Sequence, residues 1–268
     1  MLFPETPRVV YDNKVLDQVI CQLRFPPVLR IGVESPAKFQ DVIRKIYPNY
    51  SLDTDSPELP LQISTMLEEL RVPTPFGKSD PSKHTFSSRD DMSSVVISTG
   101  FLALSEKNYQ RWEEFRSEFM FVESAFRLEY EPDCYTRVGL RYRDRITRSE
   151  LNLDGVGWDE LLNRELTGLL GNKQYSDSIR QNRVNIELDV PEVEEGRLRL
   201  RLGLESSDDS SEMSYIIDAD LYTGRRCNAE DAIGILDHFH DTAGNFFRWA
   251  ILERLQDALE PSQLADGE

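Results

Sequence analysis

VICQLRFPP, Val19 to Pro27, alternates in character and stops abruptly. Val19, Cys21, Leu23 and Phe25 fall on one side of an extended chain, with Ile20, Gln22 and Arg24 on the other. A period of two marks a strand. Pro26 and Pro27 end it, because neither can donate to a ladder. The run therefore opens a sheet with its apolar side toward a core. A second run, CYTRVGLRYRDRI (134–146), repeats the pattern with Val138, Leu140 and Tyr142 on one face. Its LRY at 140–142 echoes the LRF at 23–25.

The segments downstream of the two runs are also alike. After the first comes SPAKFQDVIRKIYP (35–48), a helix with Ser35 as N-cap, Pro36 in the first turn and a stripe of Phe39, Val42, Ile43 and Ile46. Residues 50–82 are broken by five prolines, with QISTMLEELR as their one helical stretch. Three strands in a meander are then expected at 83–90, 93–100 and 101–107. The next helix, 108–130, carries Tyr109, Trp112, Phe115, Phe119, Val122 and Phe126 at helical spacing. In the second half, DELLNRELTGLLG (159–171) reads as a helix ended by Gly171. Strands are expected at 183–190, 196–205 and 214–222, the last two joined by the acidic loop SSDDSSE. One long helix runs from about Asn228 to Leu259.

The order β-α-βββ-α thus occurs twice. The expected fold is α+β: two related halves, as an internal duplication would produce, with mainly antiparallel sheets and helices packed on one face. The first lobe would span 1–130 with an irregular insertion at 50–82, and the second 131–260. Residues 261–268 would be a frayed tail.

The chain has 268 residues and a formal charge of −17, with 39% apolar and 29% charged residues. That is a globular composition, and so acidic a chain repels nucleic acid and anionic membranes at long range. No apolar run approaches a membrane span, and MLFPETPRVVYDN has neither a basic start nor an apolar signal core. Cys21, Cys134 and Cys227 are odd in number and far apart, as expected of reduced thiols in a cytoplasmic protein.

YDNKVLDQVICQLRFPP, the YQRWEEF helix and the GLRYRDR strand together resemble a family of uncharacterised, sporadically distributed bacterial proteins of about this length. The family's second strand reads Leu-Arg-Tyr with an Asn beyond the next residue; Asp144 stands in that place here. The resemblance implies a bacterial cytoplasmic protein and brings no assigned catalytic residues.

The arginines are the most prominent chemistry. Arg137, Arg141, Arg143 and Arg145 share one strand face; Arg197, Arg199 and Arg201 share another. With Arg24, they are the candidates for gripping an anion or a partner. The flanking strands carry Glu187, Asp189, Asp218 and Asp220, so cross-strand ion pairing, worth about 0.2–1 kcal/mol per pair, competes with any ligand. Asp218 and Asp220 point to one side and are the pair best placed for a metal, but no further ligands accompany them, so no metal is expected. In DHFHD (237–241), His238 and His240 sit about 200° apart on a helix and cannot chelate one ion. No phosphate loop is present, and no nucleophile is evident beside a histidine, so no cofactor is expected. Phe246, Phe247, Trp249 and Ile251 make the last helix apolar nearly all round. They belong either to the chain's own core or to a homo-oligomer interface. The function expected first is that of a non-catalytic interaction protein with a protein partner and no membrane. An enzyme or small-anion binder using the arginine rows with Asp218 and Asp220 in a cleft between lobes is the second reading. A nucleic-acid binder using the arginines alone is the third, and the charge disfavours it.

Overall fold

The computed structural model describes residues 2–53, 83–206 and 212–263. The QISTMLEELR stretch and most of the SSDDSSE loop lie outside them. In chain order the first half contains β1 (Val9–Tyr11), β2 (Leu16–Arg24), α1 (Ala37–Ile43), β3 (Asn49–Asp53), β4 (Lys83–Ser87), β5 (Ser93–Ser98), β6 (Phe101–Glu106) and α2 (Trp112–Tyr130). The second contains β7 (Arg137–Ile146), the single turns α3 (Trp158–Leu161) and α4 (Arg164–Thr167), and β8 (Arg183–Asp189). Then come β9 (Gly196–Ser206), β10 (Met213–Thr223), α5 (Ala229–Ala250), α6 (Glu253–Ala258) and β11 (Pro261–Gln263).

The fold is α+β, and both halves contribute to one antiparallel sheet ordered β3-β4-β5-β6-β2-β7-β10-β9-β8. In each half the opening strand pairs with the last strand of its meander, β2 with β6 and β7 with β10. The two opening strands pair with each other at the centre, Gln22 opposite Gly139 and Arg24 opposite Arg137. No cleft divides the halves along this seam, because ladder hydrogen bonds run straight across it.

Strand parity decides what is buried. Val19, Cys21 and Leu23 lie beside Leu102, Leu104, Val138 and Leu140, all fully buried on one face. The long helices α2 and α5 pack on that same face, α2 against β6 and α5 against β7 and β10. The α2 stripe is as its spacing predicts, save that Tyr109 precedes the helix. In α1 and just beyond it the buried residues are Phe39, Ile43 and Tyr47, one turn apart, while Val42 and Ile46 are exposed. Pro36 occupies the N-cap position itself.

Three expected elements differ. The helix expected over 159–171 is broken into the short turns of α3 and α4 and a 3-10 turn at Gly168–Gly171, because Leu162 is extended and bridges Ile251. The same bridge breaks the last helix: Ile251 is extended, and Asn163 N–H donates to the Ala250 carbonyl at 2.8 Å. The tail is not wholly frayed, since Pro261–Gln263 pairs with Val9–Tyr11 in a separate ribbon.

Candidate functional site

On the face opposite the helices, all seven row arginines are paired with carboxylates. Arg141 forks onto Asp218, Nε to Oδ1 at 2.7 Å and Nη2 to Oδ2 at 2.6 Å, and Arg201 adds Nη1 to Oδ2 at 3.0 Å. Arg137 reaches Asp220 at 3.2 Å, and Arg199 reaches Glu187 at 2.8 Å. Arg143 and Arg145 share Asp17 and Glu205, and Arg197 meets Asp189 at 2.6 Å. Arg24 donates to the Gln22 amide oxygen at 3.2 Å. Burial, then the neighbouring Arg137 cation, lowers its guanidinium to about 10, so it stays charged. Gly139 permits part of this network: a Cβ there would meet Arg137 Nη1 at 2.3 Å, so the guanidinium lies across bare backbone on its way to Gln22 and Asp220.

Asp218 and Asp220 are therefore buried counter-ions in mid-sheet, not walls of a cleft between lobes. Each already faces two arginines, which leaves few lone pairs for a metal. Among the described residues no cluster of three or more His, Cys, Asp or Glu side chains is arranged to hold one.

The last helix is covered within the chain. Phe246 and Ile251 are buried, and Phe247 and Trp249 are partly so. Phe3 packs its ring 5.1 Å from Phe246 and 5.4 Å from Trp249, and Tyr11 meets Phe247 edge-on at 5.8 Å. The segment preceding β2 is thus a strap across α5, and these four side chains are not a bare surface awaiting a second copy.

Beneath the strap, between α5 and the helix-side face of the sheet, lies a cavity of about 170 Å³. Its walls are aromatic: Tyr11, Tyr109, Trp112, Tyr142 and Phe247 all contribute. Asp144 lines it. As an even-numbered β7 residue, Asp144 follows Leu140 and Tyr142 onto the apolar face, where it is 7% exposed. Among the described residues no donor lies within hydrogen-bond distance of its carboxyl. Burial, then the Asp17 and Asp218 carboxylates, push its acid up to about 8. His240 also lines the cavity, stacked on Trp112 at 4.8 Å with its Nδ1 2.9 Å from the Tyr142 hydroxyl. Burial, then Arg8, lowers it to about 4, so the ring is neutral near pH 7. Neighbouring Asp237 turns away to accept from Trp112 Nε1 at 2.8 Å and from Arg116 at 2.7 Å.

Three cations reach the same cavity. Arg8 is neutralised by Glu113 at 2.9 Å. Arg248 instead donates to the Thr6 hydroxyl and, at 2.8 Å, to Asn245 Oδ1. Lys14 bonds to the Tyr109 carbonyl at 3.2 Å and to the Gln110 amide. No carboxylate among the described residues pairs with Arg248 or Lys14.

Tyr109, Trp112, His240 and Asp144 fall within stretches notable in the sequence, but no motif joins them into one site. One signal was present: an acid at the fourth place of the alternation Val138, Leu140, Tyr142, Asp144. The thiols of Cys21 and Cys227 offer no alternative centre, since burial pushes both up, away from the reactive thiolate. No protein-family model matches the chain, and no curated protein is significantly similar to it. Among the described residues no helix is long and apolar enough to cross a membrane.

Proposed function

We propose that the chain is a non-catalytic binding protein whose ligand, a small organic molecule, occupies the cavity beneath the strap. The observation that carries this is the Asp144 carboxyl, which stands on the apolar face of the sheet and lines the cavity with no hydrogen bond to it from the described residues. An acid held in that condition beside an aromatic-walled cavity is suited to a ligand that supplies the donor. The neutral, stacked His240 and the unactivated thiols support binding rather than chemistry. The bacterial cytoplasmic setting implied by the family resemblance belongs to the same proposal, and a protein partner is compatible with it.

The ion pairing of both arginine rows weighs against nucleic acid, because neutralised guanidiniums release few counterions. No mobility shift of DNA or RNA is expected, even at low salt.

The cavity is tested by filling it. Ala219 projects from β10 into it, so Ala219→Leu should remove uptake of small aromatic compounds while the chain stays folded. Uptake is read by native mass spectrometry and by thermal shift. Equal uptake by the variant and the natural chain would overturn the assignment.

A further inference from the structure

We infer that the ligand is a small zwitterion with an aromatic body, an amino-acid-like molecule whose ammonium meets Asp144 and whose carboxylate meets Arg248 and Lys14. This presupposes that the cavity is the binding site and names what enters it. The acid and the two cations that line the cavity are complementary to such a molecule and form no ion pair with each other among the described residues. Asp144 accepts from no donor among the described residues, and Arg248 has only the neutral partners Thr6 and Asn245. Asp144, Arg248, Lys14 and Tyr11 all line this one cavity, and the Tyr11 phenol lies within the electrostatic reach of both Arg248 and Asp144. Asp241 also lines the cavity and acts on Arg248 electrostatically, but among the described residues it forms no ion pair with it. An acid with no protein donor and a guanidinium with no carboxylate partner, lining one cavity, suit a partner that brings an ammonium to ionise the first and a carboxylate to meet the second, since either group alone leaves one of them unmet. The rings of Tyr11, Tyr109, Tyr142 and Phe247 also line the cavity and favour an aromatic group beside the charged pair, through stacked and edge-on contacts.

Isothermal titration with three probes tests this. L-Phenylalanine carries both charges, 3-phenylpropionate lacks the ammonium, and phenethylamine lacks the carboxylate. L-Phenylalanine should bind about tenfold or more tighter than either, the loss expected for one charged hydrogen bond. Asp144→Asn should abolish its advantage over 3-phenylpropionate and keep its advantage over phenethylamine. Arg248→Gln should do the reverse. That crossed pattern cannot arise from a general loss of folding, which would weaken all three probes together. If all three bind alike, and only Ala219→Leu weakens them, the cavity binds apolar bodies and the zwitterion assignment falls alone. If none binds and the variants change nothing, both assignments fall.

Discussion

The Arg141 guanidinium presents two parallel donors to the two oxygens of Asp218, at 2.7 and 2.6 Å, across the β7–β10 seam. Arg201 closes on the same carboxylate from β9 at 3.0 Å. Both partners of the fork are buried. Removing one side of a buried pair leaves the other charge in a medium that cannot solvate it, at a cost of about 3–5 kcal/mol. Asp218→Ala should show that loss in urea denaturation. The Arg197–Asp189 pair has a similar length, 2.6 Å, but Asp189 is 80% exposed. Asp189→Ala should cost about 0–1 kcal/mol, as exposed pairs do. Equal effects of the two substitutions would show that burial does not set the value of these pairs.

Gly203 has φ +152°, and a Cβ there would stand 2.0 Å from the Asn182 carbonyl oxygen. That obstacle is backbone, which cannot swing aside as a side chain would. Gly203→Ala should therefore destabilise the β8–β9 edge by more than about 1 kcal/mol, read as a lower denaturation midpoint with an unchanged slope. Gly139→Ala meets only the flexible end of Arg137, and its effect should be the smaller of the two.

Local patterning carried most of the sheet and little of the site. Strands β4 to β10 and helix α2 announce themselves by period, because burial on one face imposes the same alternation in sequence and in space. The features that escaped depend on contacts between distant residues. Nothing near Ile251 breaks a helix; Leu162 does so from 89 positions away, by capturing its backbone. The ribbon of Val9 with Gln263 joins three-residue strands too short to show a period. The arginine rows were legible together with their carboxylate partners, but not the choice of partner. Arg141 forks to Asp218 although Asp220 is its register partner. Asp144 was visible as an acid on an apolar face, whereas the cavity it lines needs α5 and the strap, which come from opposite ends of the described chain.

Stability should vary with pH in a way that reports Asp144. Its acid ionises at about 8 in the folded chain, against about 3.9 for an unfolded aspartate. Between those values the folded state keeps a proton that the unfolded state has released, so stability falls as pH rises, by up to about 1.4 kcal/mol per unit. His240 acts oppositely: it is lowered to about 4 from an unfolded value of about 6.5, so its contribution grows with pH across that window. The two slopes offset each other below about 6.5, and the decline should emerge between about 6.5 and 8. The titratable and charged groups acting on Asp144 are Tyr11 on β1, Asp17 on β2, Arg143 on β7 and Asp218 on β10. Asp144→Asn lacks the acid, so its stability relative to the natural chain should rise through that interval and level off above about 8. Urea denaturation of both proteins across the range checks this; a pH-independent difference would sink it.

The strap should open without the sheet. It is held by Phe3 against Phe246 and Trp249, by the Val9–Tyr11 ribbon, by Asp12 and Asn13 N–H groups donating to Glu260 and Leu259 carbonyls at 3.3 and 3.2 Å, and by side-chain bonds of Thr6, Arg8, Asn13 and Lys14, most of them exposed. These ties are few beside the ladders that bind β2 to β6 and β7, and segments with few buried contacts open at lower free energy than the core. Phe3→Ala removes the ring contacts, worth about 0.5–1.5 kcal/mol beyond the area they bury. Backbone amides of the strap and of Pro261–Gln263 should then exchange hydrogen up to about tenfold faster, the factor for some 1.4 kcal/mol. Amides of β2 and β7 should keep their rates. Slowed exchange, or acceleration shared equally by β2 and β7, would mean that the strap melts only with the whole chain. In that case the cavity beneath it would be reached by another route.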